Sequence, residues 1–324
     1  MKDAEVIIIG AGPSGVAASK VLSDAKIKTI ILEKETTSSR NFYSGIVCSK
    51  PLGDIFPDFW KYAPIERKIS KLKTYFLSTD SSTFLDNIPN ENSYFNILRT
   101  PFLGSLMEKT NAKILRGEIV RNLIIEKHKV IGVETDSKKF YSDIVVIAEG
   151  AGSILTKKEG LRKGELLPNE IFLFVEESFL LLPEIIEKRF NLKPNEGIAI
   201  KFVMDFFRDV KSIGYLNTNK SSISLGTGIL FSDSLSKKIN INDCHEKFKE
   251  HPLIRSFLEG GNSINFSSYI LPSETPHQGV STFENGCLVI GAAAGLVNPM
   301  DFDISSSCIL SGKSAAEKII GVKK

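Results

Sequence analysis

The chain has 324 residues, 42% of them hydrophobic and 24% charged, with a net charge of +3. That length suits two domains or one large α/β domain with an insertion, and the near-neutral balance points away from nucleic acid and from a strongly basic membrane face. The four cysteines, Cys48, Cys244, Cys287 and Cys308, are widely spaced without a CxxC pair, which disfavours an iron–sulfur cluster, a zinc site or a disulfide framework and fits a reducing cytoplasm.

Met1-Lys2-Asp3 leads straight into an apolar run, so no secretory signal is expected. No uncharged apolar segment reaches the roughly 18–20 residues that span a bilayer. Residues 5–33 read EVIIIGAGPSGVAASKVLSDAKIKTIILE. The short β-branched run Val6–Ile9 predicts a strand buried on both faces. A helix is expected over 16–25 and a second strand over 29–32, closed by Glu33. The glycines between them have separate tasks in a dinucleotide-binding turn. Gly10 permits the tight turn, Gly12 lets the backbone approach a pyrophosphate, and Gly15 lets helix and strand pack closely. The helix N-terminus offers free N–H groups and partial positive charge to phosphates. Glu33 is placed to accept hydrogen bonds from a ribose diol. An acid there disfavours a 2′-phosphate, leaving FAD or NAD.

Further along, residues 112–149 predict a meander of short strands with turns at Lys127-His128 and Asp136-Ser137. A parallel strand over 144–148 returns to Glu149-Gly150. Residues 165–275 predict strands over 170–175, 198–203 and 222–229, and helices over 183–190 and 242–250. The apolar stretches FLFVEESFLLLP (172–183) and FVMDFF (202–207) suit either a cavity lining or plain core. His245, His251 and His277 fit no metal spacing and are expected to be solvated or capping. Near the C-terminus a strand over 286–290 opens into Gly291-Ala292-Ala293-Ala294-Gly295, with a helix holding 314–320. The dinucleotide unit thus opens at residue 5 and closes near 320, interrupted by a separate unit. An NAD domain would be contiguous, so FAD is favoured.

These stretches, with SGIVCSKPLGDIFPDFWKYAPIERKIS (44–70), NILRTPFLGSLMEK (96–109), LNTNKSSISLGTGI (216–229) and LVIGAAAGLVNPM (288–300), resemble the FAD-dependent oxidoreductases that include p-hydroxybenzoate hydroxylase, geranylgeranyl reductases and the electron-transfer-flavoprotein:quinone oxidoreductases. The FixC-type branch is the most similar. The resemblance implies an α/β fold: an FAD-type Rossmann domain (1–75, 96–160 and 277–324) interrupted by an α+β substrate domain with a mostly antiparallel sheet (76–95 and 161–276). It implies that Gly10, Gly12, Pro13, Ser14, Gly15, Glu33 and Lys34 hold the ADP half of FAD. Arg99 would add a cation near the phosphates or ribose, Val120 would meet the adenine through its backbone, and Gly150 would let the chain pass the pyrophosphate. Gly45, Gly291, Ala292, Gly295 and Asn298 would border the flavin. No residue qualifies as an acid–base catalyst, because the flavin carries the chemistry.

Five places depart from the FixC-like pattern, the last of them at 272–275. Gly45-Ile46 replaces Gly-Gly, Gly291-Ala292 replaces Gly-Asp, Asp303-Ile304 replaces Glu-Gly, and Glu149-Gly150 replaces Asp-Gly. An alanine at 292 forgoes a charge-assisted hydrogen bond worth roughly 1.5–3 kcal/mol. A branched side chain at 46 is expected to intrude where a flat ring or a positive-φ backbone was anticipated. Pro272-Ser273-Glu274-Thr275 replaces Pro-Glu-Gly-Gly. Cys48, beside this region, is either a redox thiol or a buried structural cysteine.

The resemblance leaves two functions in contention. One is an FAD-dependent oxidoreductase moving electrons between a carrier protein and a quinone or prenyl-type acceptor. The other is a non-catalytic relative serving as a nucleotide-binding or protein-interaction subunit. The implied partners are a ferredoxin-like protein or an electron-transfer flavoprotein, since the chain carries no cluster cysteines. The expected setting is the cytoplasm, compatible with peripheral membrane contact.

Overall fold

The computed structural model describes residues 2–36, 43–79, 81–87, 93–162, 166–207, 210–272 and 285–323. The first half runs β1 (Val6–Ile9), α1 (Pro13–Asp24), β2 (Thr29–Glu33), β3 (Ser44–Cys48), α2 (Ser49–Gly53), β4 (Ile65–Leu77), β5 (Ser82–Asn87), β6 (Tyr94–Leu98) and α3 (Arg99–Met107). Then come β7 (Lys113–Arg116), β8 (Val120–Glu126), β9 (Lys129–Thr135), β10 (Lys139–Tyr141), β11 (Ile144–Ile147) and α4 (Ile154–Lys158). The second half holds β12 (Ile171–Leu180), α5 (Pro183–Arg189), β13 (Glu196–Phe207), β14 (Val210–Thr218), β15 (Ser222–Leu230), α6 (Phe231–Lys237), α7 (Ile241–Glu250), α8 (Pro252–Leu258), β16 (Asn262–Pro272), β17 (Cys287–Val289) and α9 (Ile304–Lys323).

A five-stranded parallel sheet, ordered β17-β11-β1-β2-β7, forms one unit. Its strands alternate between two cores, which is why they read as continuous apolar runs. Val6, Ile8, Ile31 and Val146 face α1, α3 and α9. Ile7, Ile9, Leu32 and Val145 face the small sheet β10-β9-β8 through Val133 and Phe140. The Lys127-His128 turn has both residues at positive φ, 48° and 64°, as a two-residue hairpin requires. Helices α1 and α9 cross closely because Gly312 carries no side chain: a Cβ there would lie 2.2 Å from the Ser14 carbonyl oxygen.

The second unit is a nine-stranded sheet, β16-β12-β15-β14-β13-β4-β6-β3 with β5 on the flank of β4. It is antiparallel except where β13 runs parallel to β4. One face is covered by α5, α7 and α8 around Phe202, Leu216, Leu225 and Phe248; full burial of each such side chain stabilises the fold by about 2–3 kcal/mol. The other face, carrying Phe174, Ile213 and Tyr215, looks toward the parallel-sheet unit. β4 was not foreseen as a strand, because its charged alternation IERKISKLK resembles a surface segment. Domain limits drawn at 75/76 and 95/96 fall inside β4 and β6, which hydrogen-bond to each other in the large sheet. Arg67 explains part of that joint. It is buried, with Nε donating to Asn219 O at 2.6 Å, NH1 to Glu187 Oε1 at 2.9 Å and NH2 to Lys220 O at 2.9 Å.

Candidate flavin and acceptor site

The glycine turn after β1 divides its glycines by what surrounds them. A Cβ at Gly15 would sit 2.0 Å from Gly10 O, and one at Gly10 would sit 2.5 Å from Ala148 O. Both positions are closed by the fold itself. Gly12 differs: no atom lies within 4 Å of a Cβ built there, so the backbone is bare toward open space. Pro13 occupies the first turn of α1, where its missing N–H costs nothing, and Ser14 packs against Gly291. Glu33 ends β2 beside this turn. Its Oε2 accepts Ala11 N–H at 2.7 Å and its Oε1 accepts Glu35 N–H at 3.0 Å, fixing the carboxylate against the loop. Lys34 is exposed next to it.

Val120 opens β8 in the small sheet, partly buried against the core shared with the parallel strands. Gly150, at φ +83°, also has open space above it. Glu149 turns away from that space. Its carboxylate accepts Leu155 N–H at 2.9 Å, Thr156 N–H at 2.7 Å and Thr156 Oγ1–H at 2.6 Å, so the longer acid caps α4.

Between the two units lies a cavity of about 220 Å³. Gly45, Ile46, Arg99, Gly150, Ala292 and Ile304 border it on one side, and Ile200, Lys201, Tyr215 and Tyr269 on the other. Arg99 is the first residue of α3, held by its N–H donating to Tyr43 O at 2.8 Å, with its side chain exposed at the cavity edge. Gly291 begins a short 3-10 turn at φ +64° and Gly295 closes it at φ +73°. Ala292 contributes no polar atom. Asn298 uses its side-chain oxygen to accept Met300 N–H at 2.9 Å.

Several sequence expectations change here. Ile46 does not intrude as expected: it stays in extended β3 and packs with Ile69, Leu72 and Ala199, while the clearance belongs to Gly45, whose Cβ would meet nothing within 4 Å. Asp303 turns inward, where Oδ2 accepts Cys48 N–H at 2.7 Å and Oδ1 accepts Ser306 N–H at 2.9 Å. It caps α9 and ties it to β3, leaving Ile304 at the cavity wall. The Cys48 thiol is buried and pushed up by that burial, with Asp303 adding to the effect, which is the wrong direction for a reactive thiolate. His245 is neither solvated nor a cap. It is fully buried, with Nδ1 paired to Thr227 Oγ1 at 2.8 Å and Nε2 to Glu177 Oε2 at 3.3 Å. His251 does cap, accepting Leu253 N–H at 3.2 Å. His277 and residues 273–275 lie outside the described residues. Among the described residues no cluster of metal-ligating side chains occurs, and no helix is long and apolar enough to cross a membrane.

Sequence reasoning missed a buried acid behind the cavity wall, joined to it through Tyr215. Glu176, on β12, is fully buried. Its Oε1 accepts Ser44 N–H at 2.9 Å and its Oε2 pairs with the Tyr215 hydroxyl, which in turn pairs with the Tyr269 hydroxyl at 2.9 Å. Burial pushes its carboxyl up to about 7, against the pull of Ser44 N–H, Tyr215 and Ser224. The arrangement depends on a glycine. In the ladder Tyr215 lies opposite Gly226, and Gly226 lies opposite Glu176. A Cβ at Gly226 would be 2.1 Å from Tyr215 Cε1, so the missing side chain lets the ring reach across one strand to the acid. The GTG of SLGTGI was the only available signal.

These residues fit FAD. Bare backbone at Gly12, Gly45 and Gly150 leaves room for a flat or phosphorylated group, and the cavity continues that space toward the large sheet. Comparison with known proteins agrees. Residues 3–52 match the FAD binding domain family FAD_binding_3. The chain is 31% identical to Protein FixC of Azorhizobium caulinodans over 98% of its own length and 76% of the relative's. It is 29% identical, over 99% and 77%, to the protein named probable electron transfer flavoprotein-quinone oxidoreductase YdiS of Escherichia coli K12. In fold it matches a geranylgeranyl bacteriochlorophyll reductase-like protein from Thermoplasma acidophilum, with a TM-score of 0.78 at 18% identity, covering 100% of this chain and 79% of the other.

Proposed function

This chain belongs to the FixC family of flavoprotein oxidoreductases, and we propose that it passes electrons between a carrier protein and a quinone or prenyl-type acceptor held in the cavity. The supporting observation is the cavity itself, which has bare-backbone glycine turns on one side and an apolar sheet face with paired phenols on the other. FAD is the cofactor, and when bound it supplies the electron exchange that protein side chains lack. On this reading Gly12 and Gly150 face the pyrophosphate, Glu33 the ribose, Arg99 the phosphate-to-ribityl region and Val120 the adenine edge. Gly45, the Gly291–Gly295 turn and Asn298 lie along the flavin, and Ile213 and Ile304 keep water from the acceptor. The donor is of the ferredoxin or electron-transfer-flavoprotein kind.

The test is the visible spectrum of the purified protein. One equivalent of bleachable, reducible flavin is expected. Gly12→Val is expected to abolish flavin retention without unfolding the chain, because that position opens on free space. A second reading rests on Ala292, which offers the ribityl chain no acceptor: a non-catalytic, nucleotide-binding or protein-interaction subunit. A folded but colourless protein that added FAD neither colours nor stabilises would favour it.

A further inference from the structure

The sheet face of the cavity carries a chain of three ionisable groups ending at the ligand space. Which way its protons point follows from counting donors. When Glu176 is ionised, Tyr215 O–H donates to the carboxylate and Tyr269 O–H donates to Tyr215, so no phenolic proton is left for the cavity. When Glu176 is protonated, every bond reverses. The acid donates to Tyr215, Tyr215 donates to Tyr269, and the Tyr269 O–H is released to a ligand. Phe174 stacks on Tyr269 with ring centroids 5.2 Å apart and planes 7° apart, while Tyr43 meets it edge-on at 5.2 Å, so the terminal phenol is held in place.

We propose that Glu176, Tyr215 and Tyr269 form a proton-delivery relay that recognises and protonates the oxygen of a conjugated carbonyl or quinone bound in the cavity. The proposal rests on the flavoprotein reading above for its source of electrons. FAD, when bound and reduced, would supply the acceptor with a hydride equivalent, two electrons with one proton, which would leave negative charge on the acceptor's oxygen. There an O–H bond forms as the Tyr269 O–H bond breaks. Tyr269 takes the proton of Tyr215, Tyr215 takes that of Glu176, and Glu176 ends as a carboxylate. Reloading occurs from solvent along edge strand β16. There Ser267, directly opposite Glu176 in the ladder, has a buried hydroxyl with no hydrogen-bond partner among the described residues.

The groups that bear on this acid can be named from each neighbouring element. They are Tyr215 on β14, Ser224 on β15 and the Ser44 N–H of β3, with Tyr269 on β16 next in the chain and Tyr43 and Arg99 acting on Tyr269. Lys201 and Asp301 interact with each other elsewhere along the cavity wall. The value of about 7 for Glu176 makes both chain directions accessible at neutral pH.

The experiment is calorimetric titration of the oxidised protein with 1,4-naphthoquinone, about one pH unit below and above that midpoint, beside infrared titration of the carboxylic-acid C=O band. The wild type is expected to bind about tenfold more tightly at the lower pH, since only the protonated chain has a donor to spare. Tyr269→Phe is expected to bind weakly and without pH dependence. Glu176→Gln is the sharper variant. Its amide N–H can still donate to Tyr215, so binding is expected to become tight at both pH values, while oxidation of the reduced protein by the quinone slows by about 10²–10⁴-fold, the range of a lost general acid. The C=O band is expected to titrate in the wild type and vanish in Glu176→Gln. The relay is overturned if Tyr269→Phe keeps wild-type affinity and pH dependence, if Glu176→Gln remains pH-dependent, or if the wild type does not bind the quinone. Flavin content, read separately from the visible spectrum, reports on the cofactor reading. A yellow protein without pH-linked binding sinks the relay alone, and a colourless one with it sinks the electron source alone.

Discussion

Glu176 and Glu177 follow one another in β12, yet the pleat of the strand sends them to opposite faces of the large sheet. Glu176 lies on the cavity side of the sheet, buried behind Tyr215, where its partners are a backbone N–H and neutral hydroxyls, and burial pushes it up to about 7. Glu177 lies under α7. Burial pushes it the same way, but His245, Lys249 and Ser263 together outweigh that and hold it at about 2. Lys249 Nζ donates to its Oε2 at 2.8 Å. The two carboxyls share burial and differ in company. Desolvation by itself yields a neutral acid, and a cation beside it restores the charge.

The comparison can be broken from either side. Glu177→Ala is expected to have the largest effect, about 3 kcal/mol in urea denaturation, because it strips buried His245 of its Nε2 partner and partly buried Lys249 of one of its two carboxylates. Flavin content should not change.

The next effect is pH-linked. Glu176 has its folded-state value raised above the ordinary 4.5, so the folded protein binds more protons between about 4.5 and 7, and its contribution to stability falls as pH rises through that window. Glu177 has its value lowered, so its contribution is full above 4.5 and is lost as pH falls toward about 2. Glu176→Gln should therefore be more stable than the wild type above pH 7, by on the order of 2–3 kcal/mol, and lose that advantage below pH 4.5. Urea midpoints at the two pH values measure it.

Gly226→Ala sharpens the cavity side. The added methyl would overlap the Tyr215 ring, so the variant is expected to lose about 1–3 kcal/mol and to detach Tyr215 from Glu176. Loss of that hydrogen bond should raise the Glu176 titration further, readable in the infrared band. Thr227→Val is the smallest change, about 1 kcal/mol, from removing the hydroxyl paired with His245 Nδ1. Thermal unfolding should detect it with the quinone affinity unaltered.

The dinucleotide unit was legible because its signals are local. Val6–Ile9 occupies the residues read for it, and the expected returning strand at 144–148 is observed as Ile144–Ile147. The large sheet was legible only in pieces. β12 extends to Leu180, well past the limit of 175, because the two glutamates interrupt an otherwise apolar run. β4 was hidden by its lysines and arginine. Arg67 in particular looks like surface and is buried, since backbone carbonyls from the β14–β15 turn satisfy it. Of the two readings of Cys48, the structure shows the buried structural cysteine, its N–H donating to Asp303 Oδ2.

Sequence alone determined the glycine turn, the acid at 33, the split dinucleotide unit and the family resemblance, since each depends on residue type at short spacing. It also gave the missing acid at Ala292. Tertiary structure decided which glycines are filled by the fold and which are bare, because that depends on what lies across from Gly10, Gly12 and Gly15. It decided, too, that of two adjacent glutamates one stands beside phenols and the other beside a histidine and a lysine. Those partners come from β14, β16 and α7, which are 30 or more residues away in the chain, and only strand register and helix packing bring them together.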